Sequence, residues 1–357
     1  MLSARQPVRN LKTYHPPLGQ REGLRLDFNE NTVGCSPRVL ERLRQLDGEQ
    51  LARYPDRAPL EAAVAAHLNV TPEELLLTNG TDEAIHLVCQ TYLEAGDEAL
   101  IVVPTFSMYE IYAAGTGARV ISIPAEDFRF PTELLLARIN TRTRFIAVAN
   151  PNNPTGSLVP AEVLLRIAQA APNAALLVDE AYFEFCGETL IPHFRNTPNL
   201  FVSRTFSKAY GLAGLRIGVL TGNVDQMKMA RLASSPYNVN SVALACLPDA
   251  IDDRDFVQQY VHEVGGGRDL LEQELQLRGI KFWPSRANFV LILIGSMSTA
   301  FIIAMRERGI LVRDRSSDYG CEGCVRITLG NLAQTEQMLK ALREALGEIG
   351  ISQKAGS

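Results

Sequence analysis

The amino-acid sequence predicts an α/β protein: a mostly parallel seven-stranded sheet with helices on both faces, plus a smaller α+β domain built from the two chain ends. Two observations carry this. Through the middle of the chain, short apolar, β-branched runs alternate with helical patterns, as buried parallel strands joined by crossover helices require. From about residue 250 the alternation gives way to a long helix, isolated strand-like runs and a final helix. With 357 residues, 46% of them apolar, the chain fills one large core and a smaller one. The expected division is an arm over 1–45 that packs with the small domain, a large domain over 46–250 and a small one over 251–357.

Strands are predicted at 75–78, 99–103, 120–123, 145–149, 175–178, 200–203 and 217–221. After the first of these, Ala84, Ile85, Val88, Cys89, Tyr92 and Leu93 share one helical face. Just before it, Thr71-Pro-Glu-Glu74 has capping-box spacing, with proline at the first helical position. Glycines 265–267 interrupt a helical pattern and predict a bend. Beyond them come strands at 289–294 and 325–328 and a helix at 334–346. The first forty residues, rich in Pro, Asn and Gly, are expected to pack against the terminal domain or a partner subunit. No internal repeat is visible.

Charge excludes several classes of function. The 35 basic and 40 acidic residues are spread without long runs of one sign, so neither a nucleic-acid stripe nor a polybasic membrane patch exists. No apolar run has the length of a membrane span. The opening MLSARQPVRN lacks the apolar core of a secretory signal, so the mature protein is expected to start here, in the cytoplasm. Six scattered cysteines read as reduced thiols. Cys321-Glu-Gly-Cys324 has the spacing of a zinc or redox pair, but no second pair or nearby histidine completes a tetrahedral set, and no metal is expected.

The most informative stretch is Ser203-Arg-Thr-Phe-Ser-Lys208-Ala-Tyr-Gly-Leu-Ala-Gly-Leu-Arg216-Ile-Gly218. Thr205 and Ser207 offer hydroxyl donors, and Arg216 offers a planar fork suited to a dianion. Lys208 becomes a nucleophile toward an aldehyde once its ammonium is desolvated or placed near another cation. An aldehyde and a phosphate on one small molecule describe pyridoxal 5′-phosphate.

In an open parallel sheet, ligands bind beyond the carboxyl ends of the strands. After 75–78 comes Asn79-Gly80-Thr81-Asp82, where Gly80 permits a tight turn and free amides at a helix start face a phosphate. By itself such a glycine marks only a turn. After 145–149, two prolines in Asn150-Pro-Asn-Asn-Pro-Thr-Gly156 hold Asn153 in a fixed pose. After 175–178, Asp179-Glu-Ala-Tyr182 puts a carboxylate at a strand end, where burial demands a cationic partner such as a protonated pyridine nitrogen. A helix-capping role for Asp179 is the plainer alternative.

Together these segments resemble the cofactor site of the fold-type I pyridoxal-phosphate aminotransferases. The resemblance covers nearly the whole chain and follows the family's order: the Gly-Thr-Asp turn, Pro104-Thr-Phe106, Asn153-Pro-Thr-Gly156, Asp179-Glu-Ala-Tyr182, Ser207-Lys208 and Arg216. It implies that Lys208 bonds to the coenzyme's aldehyde carbon and then shuttles a proton. It further implies that Asp179 pairs with the ring nitrogen and that Asn153 and Tyr182 hydrogen-bond the ring hydroxyl. Phe106, where the family commonly has tyrosine, is expected to stack on the ring. Gly80, Thr81, Asp82, Thr205, Ser207 and Arg216 are expected around the phosphate.

The chain ends resemble the histidinol-phosphate aminotransferase group of that family, through Val8-Arg-Asn-Leu-Lys-Thr-Tyr14, Leu26-Asp-Phe-Asn29-Glu30-Asn31, Arg53-Tyr54-Pro55, Gly309-Ile-Leu-Val-Arg313-Asp and Gly323-Cys-Val-Arg326-Ile-Thr. Cys35 departs from that pattern, where proline is common. The likeness implies substrate contacts from Tyr14, Asn29, Arg313 and Arg326, the arginines taking the α-carboxylate of glutamate or the phosphate of histidinol phosphate. It also implies a homodimer in which Tyr54 reaches the neighbouring subunit's cofactor phosphate, with 2-oxoglutarate as amino acceptor. The alternatives are an aromatic amino acid aminotransferase with the same cofactor site, or a lyase akin to the phosphothreonine decarboxylases. A sensing module of a transcription regulator is set aside, because only about thirty residues precede the Asn29-Glu30 segment.

Overall fold

The structure, a computed structural model, describes residues 2–11, 13 and 22–351. Tyr14 therefore lies outside the described residues. In chain order the strands are β1 (Leu24–Leu26), β2 (Leu75–Thr78), β3 (Glu98–Val103), β4 (Arg119–Pro124), β5 (Thr143–Ala149), β6 (Ala175–Asp179), β7 (Leu200–Thr205), β8 (Gly218–Gly222), β9 (Phe282–Trp283), β10 (Phe289–Leu293), β11 (Ile310–Asp314) and β12 (Cys324–Thr328).

Seven of them form one sheet in the order β2-β8-β7-β6-β5-β3-β4. All neighbours run parallel except β8, which is antiparallel to both β2 and β7. Apart from the edge strand β4, the strands are buried on both faces, and alternation splits them between two cores. Leu77, Val148, Val178 and Val202 belong to one core, together with Leu164 and Ile167 of the helix Ala161–Ala170. Leu76, Ala147, Leu177 and Phe201 belong to the other, together with Ala84, Ile85, Val88 and Cys89 of the helix Gly80–Tyr92. The α/β class and the seven-stranded sheet expected from the sequence are thus both present.

Residues from the two ends of the chain build a second sheet in the order β1-β11-β12-β10-β9. Here β1 lies parallel to β11, and the remaining pairs are antiparallel. The capping box at Thr71 forms, but it closes only the single 3-10 turn Pro72–Glu74 before β2.

The bend expected at glycines 265–267 is not there: Arg254–Arg278 is one helix. These glycines serve packing. A Cβ on Gly267 would stand 2.6 Å from Thr335 Oγ1, and one on Gly266 would stand 3.2 Å from Leu332. Missing side chains let this helix approach the terminal helix Leu332–Glu348 closely. Among the described residues no helix is long and apolar enough to cross a membrane.

Candidate active site

The carboxyl ends of β5, β6 and β7 open into a cavity of about 240 Å³, lined by Thr81, Asp82, Phe106, Asn153, Asp179, Tyr182, Thr205, Ser207, Lys208 and Arg216. A second cavity of about 380 Å³ is lined by Asn29, Phe106, Asn153, Tyr182, Lys208, Arg313 and Arg326. Four of the sequence-predicted residues, Phe106, Asn153, Tyr182 and Lys208, border both. The amine therefore stands where an inner and an outer chamber meet.

Asp179 ends β6 and is buried. The Tyr109 hydroxyl donates to its Oδ2 at 2.7 Å, and the Ser203 hydroxyl donates to its Oδ1 at 3.1 Å. Strand register explains the second bond, because Asp179 and Ser203 are partners across β6 and β7 and share a face. The next residues along, Glu180 and Arg204, make a buried ion pair at 3.0 Å. Burial raises the Asp179 carboxyl to about 6 despite its two donors. A carboxylate so placed calls for a cation facing it.

Lys208 Nζ donates to the Phe28 carbonyl at 3.0 Å. Burial, reinforced by the Arg326 guanidinium, lowers its pKa to about 8, so that about a tenth of the amine is neutral and nucleophilic at pH 7.

At the opposite end of the inner cavity, Gly80 takes φ +70° at the start of the helix Gly80–Tyr92, and a Cβ there would stand 2.6 Å from Arg216 Nη2. Only glycine lets the guanidinium lie over the helix start. The Asn79 side chain makes no capping bond, so the first amides of the helix remain available to an anion. The Thr81 hydroxyl is buried with no hydrogen-bond partner among the described residues. Arg216 Nη2 donates to Asp82 Oδ2 at 2.9 Å, and Thr205 Oγ1 donates to Ser207 Oγ at 2.9 Å. Guanidinium, open helix amides and an orphaned hydroxyl at one end, a buried carboxylate at the other and a nucleophilic amine beside them fit a phosphorylated pyridine aldehyde.

The outer chamber owes its character to strand pairing. Arg313 and Arg326 are direct partners across β11 and β12, so both side chains leave the same face, and like charges in such a pair repel. An incoming anion relieves that repulsion. Arg326 is buried, donating from Nη1 to Asn153 Oδ1 and from Nη2 to the Asp27 carbonyl at 2.7 Å. Arg313 lies 5.1 Å from the Phe28 ring centroid, and its Nη1 is buried with no hydrogen-bond partner among the described residues. Asn29, at φ 55°, bridges the two sheets. Its Nδ2 donates to the Tyr182 hydroxyl at 2.9 Å, while the Thr328 hydroxyl donates to its Oδ1 at 3.0 Å.

Tyr54 lines neither cavity. It is 78% exposed and stacks on Tyr237 with ring centroids 4.1 Å apart. Among the described residues no cluster of His, Cys, Asp and Glu could hold a metal ion. The reading of the sequence missed Tyr109, Ser203 and Phe28. Ser203 was recoverable, because it ends its strand in register with Asp179, whereas the Tyr109 contact depends on how the helix Met108–Thr116 sits over the sheet.

Residues 21–344 match the family model for aminotransferase class I and II. The chain belongs to that family, and its cofactor is pyridoxal phosphate. Within the family it is 35% identical over 351 residues to the histidinol-phosphate aminotransferase of Geobacillus sp. (strain WCH70), covering 96% of this chain and 95% of the relative. The crystal structure of histidinol-phosphate aminotransferase from Sinorhizobium meliloti in complex with pyridoxal-5′-phosphate superposes with a TM-score of 0.89 at 28% identity, covering 98% of this chain and 99% of the other. L-threonine-O-3-phosphate decarboxylase from Porphyromonas gingivalis is also similar, with a TM-score of 0.79 at 26% identity over 91% of this chain and 99% of the other.

Proposed function

We propose that this chain moves an amino group between histidinol phosphate and 2-oxoglutarate, giving imidazole-acetol phosphate and glutamate, a step of histidine biosynthesis. The observation that carries the reading is the Arg313–Arg326 cross-strand pair in a chamber that shares Lys208 with the cofactor cavity. Two guanidiniums on one face suit a phosphate dianion or a carboxylate.

When bound, pyridoxal phosphate supplies an aldehyde carbon for the substrate nitrogen and a protonated ring that draws electrons from the substrate Cα. Asp179 holds the proton on the ring nitrogen, with Tyr109 and Ser203 fixing its carboxylate. Lys208 Nζ would take the proton from the substrate Cα and hand it on to the cofactor's aldehyde carbon, a task suited to an amine with a pKa of about 8. Asn153 and Tyr182 would orient the ring through its hydroxyl, and Phe106, which lines the same cavity, would stack on it. Gly80, Thr81, Asp82, Thr205, Ser207 and Arg216 hold the phosphate. Arg313 and Arg326 fix the substrate's anionic group, so that the Cα–H bond faces Lys208.

The exposed Tyr54 and its partner Tyr237 support a homodimer in which Tyr54 completes the neighbouring subunit's phosphate site. A cytoplasmic location accords with a biosynthetic enzyme. With 2-oxoglutarate as acceptor, kcat/KM for histidinol phosphate is expected to exceed that for phenylalanine at least about a hundredfold. Absence of turnover of histidinol phosphate would overturn the substrate, and preference for phenylalanine would make the enzyme an aromatic aminotransferase. Carbon dioxide release from phosphothreonine would make it a lyase.

A further inference from the structure

The outer chamber contains an ion pair with no part in the scheme above. Arg315 and Asp318 both line it and bind each other. They stand on loop 315–323, between β11 and β12, whose backbone is tied to itself. The Arg315 amide donates to the Cys324 carbonyl at 3.0 Å, the Asp318 amide to the Arg315 carbonyl at 2.9 Å and the Cys321 amide to the Asp318 carbonyl at 3.0 Å. Both side chains are therefore presented from a fixed frame. Arg315 Nε is buried with no hydrogen-bond partner among the described residues. Burial raises the Asp318 carboxyl, while Arg315, Arg326 and Arg313 all act to lower it, so the charge of each guanidinium in the chamber is felt at Asp318.

Both half-reactions use this one chamber, and their substrates differ at one end. Glutamate carries a carboxylate there, which wants a guanidinium. Histidinol phosphate carries an imidazole, whose N–H wants an acceptor. A lone arginine would suit only the first, and a lone carboxylate only the second.

We propose that the Arg315–Asp318 pair determines dual specificity: it stays closed at rest, Asp318 accepts the imidazole N–H of histidinol phosphate, and Arg315 takes the side-chain carboxylate of glutamate. The proposal rests on the substrate reading above and deepens it. Opening the pair strips a partner from two largely buried charges, their side chains being 13% and 24% exposed, a cost that the incoming group must offset. Each substrate then makes a charge-assisted hydrogen bond in its place.

The test is calorimetric binding of two unreactive ligands, glutarate and imidazolylpropyl phosphate, to the coenzyme-loaded protein. Asp318→Asn is expected to weaken the phosphate ester about tenfold, or about 1.4 kcal/mol, and to leave glutarate unchanged or tighter. Arg315→Gln is expected to weaken glutarate about tenfold with the ester within about twofold, and Arg315→Lys to restore most of the glutarate affinity. Asp318→Asn keeps the side-chain volume, and where Arg315→Gln fails to fold, Arg315→Met, of similar length and without the charge, takes its place with the same expected loss of glutarate. Parallel losses of both ligands in every variant, or no loss in any, would overturn the pair's role alone. Failure of the unaltered protein to bind the ester while it binds glutarate would overturn the substrate reading, and the inference with it.

Discussion

The two sheets build their halves of the site in different ways. At the carboxyl edge of the large sheet each functional residue follows its own strand, so Asp179 at the end of β6 and Lys208 after β7 meet because their strands are neighbours. In the small sheet Arg313 and Arg326 meet through antiparallel register, and a slip of one residue would turn either side chain to the other face. The first arrangement tolerates variation in the loops, whereas the second depends on pairing. The residues proposed for the chemistry sit on the robust edge, and those proposed for the substrate's anionic group sit on the register-dependent one.

The sharpest way to break this division is Lys208→Ala, which is expected to lower turnover at least about 10³-fold while coenzyme still binds in equilibrium dialysis. Undiminished turnover would place the proton transfer elsewhere. Smaller and different in kind are the effects expected in the small sheet. Arg326→Gln should raise KM roughly thirtyfold and also lower kcat, because Arg326 helps hold the Lys208 pKa down, whereas Arg313→Gln should raise KM roughly tenfold with kcat within about threefold, because it removes binding shared by ground and transition states. A fall in kcat with KM unchanged would move these arginines into the chemical step.

Acidity offers a third probe of the large-sheet edge. The neutral amine of Lys208 is the nucleophile, and with a pKa near 8 its fraction grows about tenfold between pH 7 and 9. Stopped-flow capture of pyridoxal phosphate by the coenzyme-free protein should accelerate by that factor and then level off. A rate still climbing at pH 10 would mean that Lys208 is not desolvated.

The smallest effect lies away from both cavities. Gly267→Val, which drives a side chain into Thr335, is expected to cost about 2 kcal/mol in urea unfolding with kcat unchanged. No loss of stability would show that the two helices can part without cost.

What the sequence made legible follows the same line. The strands of the large sheet are short, apolar and punctuated by helices, and the residues after them carry recognisable spacing, so the lining of the inner chamber from Thr81 to Arg216 is legible in the sequence. The three-residue β1 and two-residue β9 are too short to leave a period, and β1 pairs with a strand 286 positions away, Leu24 with Ile310. Glycines 265–267 were misread because local propensity says break, while the neighbouring helix, which needs their bare surface, is remote in sequence. Arg315 and Asp318 look like an ordinary polar loop until it folds over the outer chamber.

Everything turns on which amine stands between the two chambers. Borohydride reduction of the coenzyme-loaded enzyme, followed by peptide mapping, fixes the coenzyme to the amine that holds it. The account requires its mass on the peptide containing Lys208; recovery on any other lysine would contradict it.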